Sequence, residues 1–341
     1  MRSARLTAIA FFALGAGIAG GAADIGIARA EVSEVRIAKQ FGLGYLQLMI
    51  MEDRKLIEKH AAAAGLGEVK STWATFRSSD VMNDALISST IDFVCLGIPG
   101  LATIWSRTRD NIDVRGAAGL NLIPLYLNTR NPAVKRLADF TDNDRIAMPA
   151  IKVSMQAILL QMAAAQTFGE ANFGKFDHLA VSMAHPDATV ALLSGRSEIT
   201  ANFSSAPFQY RQLKSTGIHK VLSSTDVLGG PISFNVVATV EKFRAANPLV
   251  YASVLAALDE ATAIINADKR RAAEDYLRIS GDRSSIDDIL ELMNDPSIEF
   301  TTKPYNLLKM VDFMYKTGSI KVRPQSWRDL FFPNVREMGE K

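Results

Sequence analysis

Arg36-Ile37-Ala38 recurs as Arg145-Ile146-Ala147, and in the same register Gln47 falls on Gln156. The two copies also continue alike. A short strand gives way to a loop of small residues and then to a long apolar helix, predicted from Tyr45 to Ala64 in the first copy and from Met155 to Phe168 in the second. Each helix runs into a glycine, Gly65 or Gly169, as a helix stop should. A second strand comes after it, Val69 to Phe76 or Leu179 to Met183. Next is a polar break, Arg77-Ser78-Ser79-Asp80 or His185-Pro186-Asp187, that starts another helix. That helix ends in Ala85-Leu86-Ile87-Ser88-Ser89 or Ala191-Leu192-Leu193-Ser194-Gly195 and leads into an apolar run, Phe93 to Leu96 or Ile199 to Phe203. Short identities arise by chance between any two βαβ units, but here order, spacing and turn positions agree together.

A β-α-β-α-β unit present twice implies two lobes, each a mostly parallel sheet flanked by helices. In open α/β sheets ligands bind outside the carboxyl ends of the strands, so two facing lobes present two sets of loops to one cleft. The runs Leu122 to Asn128 and Ile232 to Thr239 read as extended connections across which the chain changes lobe. Beyond Val240 the sequence is largely helical: Pro248 to Asp268, Lys269 to Ile279, Ser285 to Met293 and Leu307 to Lys316. The expected organisation is a leader over 1–30, the first part of lobe 1 over 31–125, lobe 2 over 126–234, and a mainly helical return to lobe 1 over 235–341.

The leader rests on Arg2 and Arg5 before an apolar run from Leu6 to about Ala19, then Ala28-Arg29-Ala30, the A-x-A pattern of a cleavable secretory signal. Gly15-Ala16-Gly17-Ile18-Ala19-Gly20 inside it matches the G-x-G-x-x-G of a flavin or nicotinamide domain. That fingerprint also needs an acidic residue ending the next strand, where this chain has Lys39-Gln40. The chain has 38 basic and 36 acidic side chains, and Arg2, Arg5, Arg29 and Asp24 leave with the leader, so the remainder is balanced. A balanced chain lacks the basic footprint of a nucleic-acid binder. Cys95 is the single cysteine, which leaves no internal disulfide and no cysteine after the apolar run for a lipid anchor. No later segment reads as an unbroken apolar span of about 18 residues. Together these features lead us to expect an exported, periplasmic protein.

The chain resembles the periplasmic substrate-binding proteins of ABC transporters in the nitrate, sulfonate, taurine and bicarbonate class. The resemblance is carried by Ala85 to Phe93 leading to Gly97-Ile98-Pro99, the Lys152-Val153-Ser154 turn, and the ending Phe313 to Ile320 with Ser326 to Pro333. It departs from the class at Ser88-Ser89, where Ser-Gly is frequent. It implies the two-lobed type II periplasmic binding protein fold, with a small anion closed between the lobes and delivered to the membrane permease of an ABC transporter. It also implies a monomer, no enzyme activity and no cofactor.

Candidate ligand residues sit where strands turn into helices. Lys152, Val153 and Ser154 precede a helix whose unpaired N–H groups and positive dipole end favour an anion; equally, Ser154 reads as an N-cap and Lys152 as a solvated loop residue. Gly42, Gly44 and Tyr45 form the matching turn, where a ligand could approach backbone and meet a hydroxyl, or where a tyrosine simply enters the core. Arg77, Ser78 and Ser79 open a second helix as caps or contacts. Gly97 and Ile98 line the cleft by the resemblance and form a turn by sequence alone. His185, Asn202 and Phe203 occupy the corresponding loops of the later unit, with Asp187 expected as a helix cap.

Enzyme readings fare worse. An oxidoreductase would need the glycine run of the leader, and a serine hydrolase would need Ser154, His185 and Asp187 without a G-x-S-x-G elbow. The loop lacks phosphate-loop glycines, and its lysine precedes its serine, the reverse of S-x-x-K. The four histidines have no metal-ligand spacing, and Trp73, Trp105 and Trp327 read as packing anchors.

Overall fold

The computed structural model describes residues 30–339; the leader with its A-x-A site and glycine run lies outside them. From Glu31 onward the chain forms one compact unit. Its strands are β1 (Glu34–Lys39), β2 (Lys70–Thr75), β3 (Phe93–Gly97), β4 (Val114–Leu122), β5 (Tyr126–Thr129), β6 (Ile146–Met148), β7 (Ala180–Ser182), β8 (Ala201–Ser204), β9 (His219–Ser223), β10 (Ser233–Val240) and β11 (Glu299–Phe300). They make a six-stranded sheet ordered β11-β4-β10-β3-β1-β2 and a five-stranded sheet ordered β7-β6-β8-β5-β9.

The sequence repeat is visible in the pairing. β1 lies parallel between β2 and β3 as β6 lies parallel between β7 and β8. Ile37 pairs with Phe93 and Ile146 with Ala201, so the matched isoleucines occupy the same register. The residues before them behave alike too: Arg36 N–H donates to Asp92 Oδ2 at 2.8 Å and Arg145 N–H to Thr200 Oγ1 at 3.0 Å. Each parallel trio is then joined by an antiparallel strand, β10 beside β3 and β5 beside β8. The sheets are therefore mixed rather than mostly parallel. β5 comes after a strand of the first sheet yet joins the second, and β10 does the reverse, so each enters against the direction of the trio it completes.

The helices are α1 (Leu46–Asp53), α2 (Leu56–Ala63), α3 (Ser79–Ile87), α4 (Ile98–Thr108), α5 (Met155–Phe168), α6 (His185–Ser194), α7 (Phe208–Leu213), α8 (Ser224–Leu228), α9 (Glu241–Ala246), α10 (Pro248–Ala267), α11 (Lys269–Ser280), α12 (Ile286–Asn294), α13 (Leu308–Lys316) and α14 (Pro333–Met338). α5 occupies the predicted range. It starts at Ser154, whose Oγ accepts the Ala157 N–H at 3.2 Å, and stops at Gly169, φ 92°. The single helix expected from Tyr45 to Ala64 is instead a 3-10 turn at Leu43–Tyr45 followed by α1 and α2. The break falls at Arg54-Lys55, where Lys55 takes a left-handed φ of 51° and Arg54 reaches the nearly buried Asp275 of α11 at 2.7 Å. No glycine or proline marks that break, so local sequence gives no sign of it.

Among the described residues one helix, α10, is long and apolar enough to cross a membrane, which the sequence did not lead us to expect. It is a core helix here. Val250, Val254, Ala257, Leu258, Ala261 and Ile265 bury one face, and it packs against α1, α2 and α11. At the edge of the α2 contact Glu260 meets Lys59 and His60 at 2.6 and 2.7 Å. β3 and nearly all of β4 and β10 are buried, as central strands covered on both faces require. One large apolar cluster runs through both sheets, and a smaller one, Ala147, Ala188, Leu192 and Ile199, lies between α6 and the second sheet.

Candidate functional site

A small cavity of about 20 Å³ lies between the sheets, lined by Gln40, Tyr45, Ser79, Gly97, Pro149, Ser154, Met155, Gln156, His185, Phe234 and Asn235. Gln40 comes just after β1, Ser79 after β2, Gly97 ends β3, Pro149 comes after β6 and His185 after β7. These are the carboxyl ends of five parallel strands, the place where α/β sheets hold ligands.

The same geometry points four helix starts at the cavity. Ser79 is the first residue of α3, Gly97 the cap position of α4, Ser154 to Gln156 the cap and first two residues of α5, and His185 the first residue of α6. First-turn N–H groups have no intrahelical partner, and each helix start carries roughly half a positive charge, so the lining favours negative charge although it holds no Lys or Arg.

The polar side chains around it are buried and tied down. Ser154 Oγ donates to the Ala150 carbonyl at 2.6 Å while capping α5. Gln40 Nε2 donates to Ser79 Oγ at 3.3 Å, and Tyr45 Oη to Asn235 Oδ1 at 3.4 Å. His185 is 6% exposed, with Nε2 at 3.3 Å from Gln156 Nε2 and Nδ1 at 3.0 Å from Ser204 Oγ. If the Gln156 amide donates to Nε2, then Nδ1–H donates to Ser204, and the ring serves as one donor and one acceptor, the neutral form. Burial lowers its pKa to about 4. Its ring stacks on Phe208 with centroids 5.7 Å apart.

Several sequence candidates meet here: Tyr45, Ser79, Gly97, Ser154 and His185 all line the cavity. Gly44 sits just behind it, its carbonyl accepting from Asn121 Nδ2 at 2.7 Å, and a Cβ there would come within 2.9 Å of the Phe234 ring. Gly42 lines a neighbouring, larger cavity. The others lie elsewhere. Lys152 is exposed with φ 68°, Val153 is half-buried beside it, and Arg77 is exposed. Ser78 is buried against Asp80, and Ile98 is core. Asn202 is fully buried inside the second sheet, donating to the Ala147 carbonyl at 2.9 Å and accepting from Gln212 at 2.7 Å, and Phe203 is core. Asp187 is not the cap of α6; Ala184 holds that position and Asp187 the third residue of the helix.

Gln40, Pro149, Met155, Gln156, Phe234 and Asn235 complete the lining without having been singled out. Gln156 carried a signal, since the repeat aligned it with Gln47, and Gln40 stood at the end of a strand. Asn235 and Phe234 come from β10, which reaches the site only by crossing from the second sheet to the first.

A hydrolase triad does not assemble. Ser154 Oγ is spent on two backbone groups, and His185 is held by Ser204 and Gln156 with no carboxylate behind it. Among the described residues no group of three His, Cys, Asp or Glu is placed to hold a metal. Ser154→Ala should lower stability by about 1 kcal/mol, the usual worth of a cap, seen as a lower urea midpoint; an unchanged midpoint would mean that α5 does not need it.

No family model and no curated protein matches the chain. Solved structures do match. The periplasmic aliphatic sulphonate binding protein SsuA from Escherichia coli superposes with a TM-score of 0.62 at 19% identity, covering 88% of this chain and 99% of that one. The alkanesulfonate-binding protein SsuA from Xanthomonas axonopodis pv. citri, solved with MOPS, gives 0.66 at 17% identity over 85% and 95%. The periplasmic nitrate-binding protein NrtA from Synechocystis PCC 6803 gives 0.66 at 15% identity over 90% and 86%. With identities this low the likeness speaks to architecture, and it extends over most of each chain: this protein has the periplasmic binding protein fold.

Proposed function

We propose that this protein is the solute-binding component of an ABC importer, that it captures a small anion in the cleft between two lobes, and that it is not an enzyme. The observation that carries the reading is the convergence of four helix starts, two from each sheet, on one buried cavity without a cationic side chain. Fixed N–H dipoles hold an anion there without the desolvation of a lysine. The similar structures are named for sulfonate and nitrate binding and support the same class of solute.

In this reading the lobes are 31–125 with 235–341 and, facing them, 126–234. The leader exports the chain to the periplasm, where it acts as a monomer and passes its solute to a membrane permease. Closure is supported by bonds that join the two parts: Leu43 N–H to the Ala206 carbonyl at 2.9 Å, Tyr210 Oη to Asp295 at 3.3 Å, Lys309 to the Leu228 carbonyl, and the Lys214–Asp288 pair. With these made, the cavity has room for about one water-sized group. Admitting an anion therefore requires the lobes to part or Gln40, Met155 and Gln156 to turn, and closure then removes its water.

Thermal shift with nitrate, methanesulfonate, taurine, bicarbonate and small carboxylates tests the reading, because a ligand that binds only the folded state raises Tm. A response to at least one anion is expected. No response to any of them alongside a response to a neutral solute would overturn the anion assignment. Gln156→Ala should weaken the responding anion about tenfold, the size of one charge-assisted hydrogen bond. Lys152→Ala, on an exposed side chain, should change binding by no more than ~0.5 kcal/mol; a larger loss measured by calorimetry would put Lys152 back at the ligand.

A further inference from the structure

Beside the small cavity lies one of about 650 Å³, large enough for an organic molecule. The two are neighbours. Gln40 lines both, and His185 lines the small one while the next residue, Pro186, lines the large. Phe208 forms part of the wall: its ring is stacked on His185 and lies 5.4 Å from the Arg211 guanidinium. The larger space has an apolar side made by Phe41, Met49, Phe208 and Ile279. Phe41 is 39% exposed, an aromatic left against solvent at the mouth.

Arg211 is only partly engaged, through an ion pair with Asp282, which lines the same cavity, and its place over Phe208. Its Nε is buried and has no hydrogen-bond partner, and its nearest carboxylate, Asp282, stands 3.5 Å from Nη2. A guanidinium held by a single ion pair keeps further N–H donors for a ligand acceptor. The other cation facing in from the first-sheet side, Lys39, is already taken by Glu52, whereas Arg283 is exposed at the rim. Guanidinium is also the side chain best matched to the flat, two-oxygen face of an acid group.

We propose that the binding site extends through both cavities and takes an elongated organic acid with two anionic ends: one at the helix starts of the small cavity, an apolar body along Phe41, Met49 and Phe208, and the second on Arg211. This rests on the capture reading above and narrows its solute from small anions in general to a two-headed one.

Three probes separate the parts: methanesulfonate carries one head only, benzenesulfonate adds the body, and 4-sulfobenzoate adds the second anion. Calorimetry on the full mature chain should place benzenesulfonate above methanesulfonate, and 4-sulfobenzoate roughly tenfold tighter again, as one charge-assisted contact gives. Arg211→Gln should erase the advantage of 4-sulfobenzoate over benzenesulfonate while leaving benzenesulfonate unchanged; Arg211→Lys should restore only part of it. Far-ultraviolet circular dichroism and Tm confirm that both variants fold.

Equal affinity for all three probes, or an Arg211→Gln loss shared equally among them, would overturn the two-headed site and leave capture of a small anion standing. So would binding of nitrate or bicarbonate with none of the three probes bound. Failure of every anion would remove both readings together.

Discussion

Acidification from neutral pH to about pH 4 is expected to destabilise the protein by roughly 3 kcal/mol through His185 alone, the worth of a pKa lowered from 6.5 to about 4. The direction is set by proton counts. Between the two pKa values the unfolded chain binds a proton that the buried ring refuses, so stability falls as pH drops through that window and this contribution levels off below it. The carboxylates held low by their partners, among them Asp144, Asp275 and Asp295, act in the opposite pH region. Their pKa values lie below the ordinary 3.8, so their stabilisation is present above that value and is lost only below it.

The two effects therefore separate on the pH axis. Urea unfolding at pH 7, 6, 5 and 4 should show a declining midpoint for the native protein. His185→Gln, which keeps a donor and an acceptor toward Gln156 and Ser204 but cannot ionise, should give a nearly flat profile over the same range. Parallel profiles would mean that His185 is not the group that titrates.

Gly42→Val is expected to be the most damaging single change at the cleft. Gly42 adopts φ 108°, where a side chain is strained at a cost of about 1–3 kcal/mol. Its Cβ would also stand 2.8 Å from the Ala206 carbonyl oxygen and 3.2 Å from the Phe208 ring. That is the carbonyl that accepts the Leu43 N–H, so the new side chain wedges apart the place where the two halves of the cleft bond. Both a lower Tm and a severe loss of anion binding should result. Gly65→Val provides the control: φ is 79°, also strained, but nothing lies within 4 Å of its Cβ. It should lose stability and keep its affinity. Equal affinity in the two variants would show that closure does not pass through Gly42.

The repeat was legible in the sequence because its marks are local: the apolar strand, the serine before Met155 and the glycine after Phe168 each act within a turn or two of chain, and α5 runs between them. The break between α1 and α2 was not: nothing local marks it, and the contact made there, Arg54 with Asp275, joins residues more than two hundred positions apart. At the site, Tyr45, Ser79, Gly97, Ser154 and His185 were legible as starts of helices after strands, because the carboxyl ends of parallel strands face the cleft in any such fold.

Lys152, weighed as an anion contact, and Arg77, at the opening of a helix, both keep their side chains in water, where a solvated charge costs nothing. Gln156 was marked only by the repeat, Gln40 only by its place at a strand end and Asn235 by nothing local, and all three line the cavity. Arg211 gave no signal in its local sequence, and its pairing with Asp282 at 3.5 Å joins residues far apart in the chain.

By itself, the sequence determined the doubled β-α-β-α-β unit, the helix starts it sets at the strand ends, and the helical run after Val240, because periodicity, caps and stops are properties of neighbouring residues. Only the tertiary structure decided that β5 and β10 cross between the sheets, that four helix starts share one cavity without a cation, and that Arg211 meets Asp282 beside it. Those facts depend on contacts between residues far apart in the chain, and no local pattern encodes the distance between two side chains that meet only when both sheets are in place.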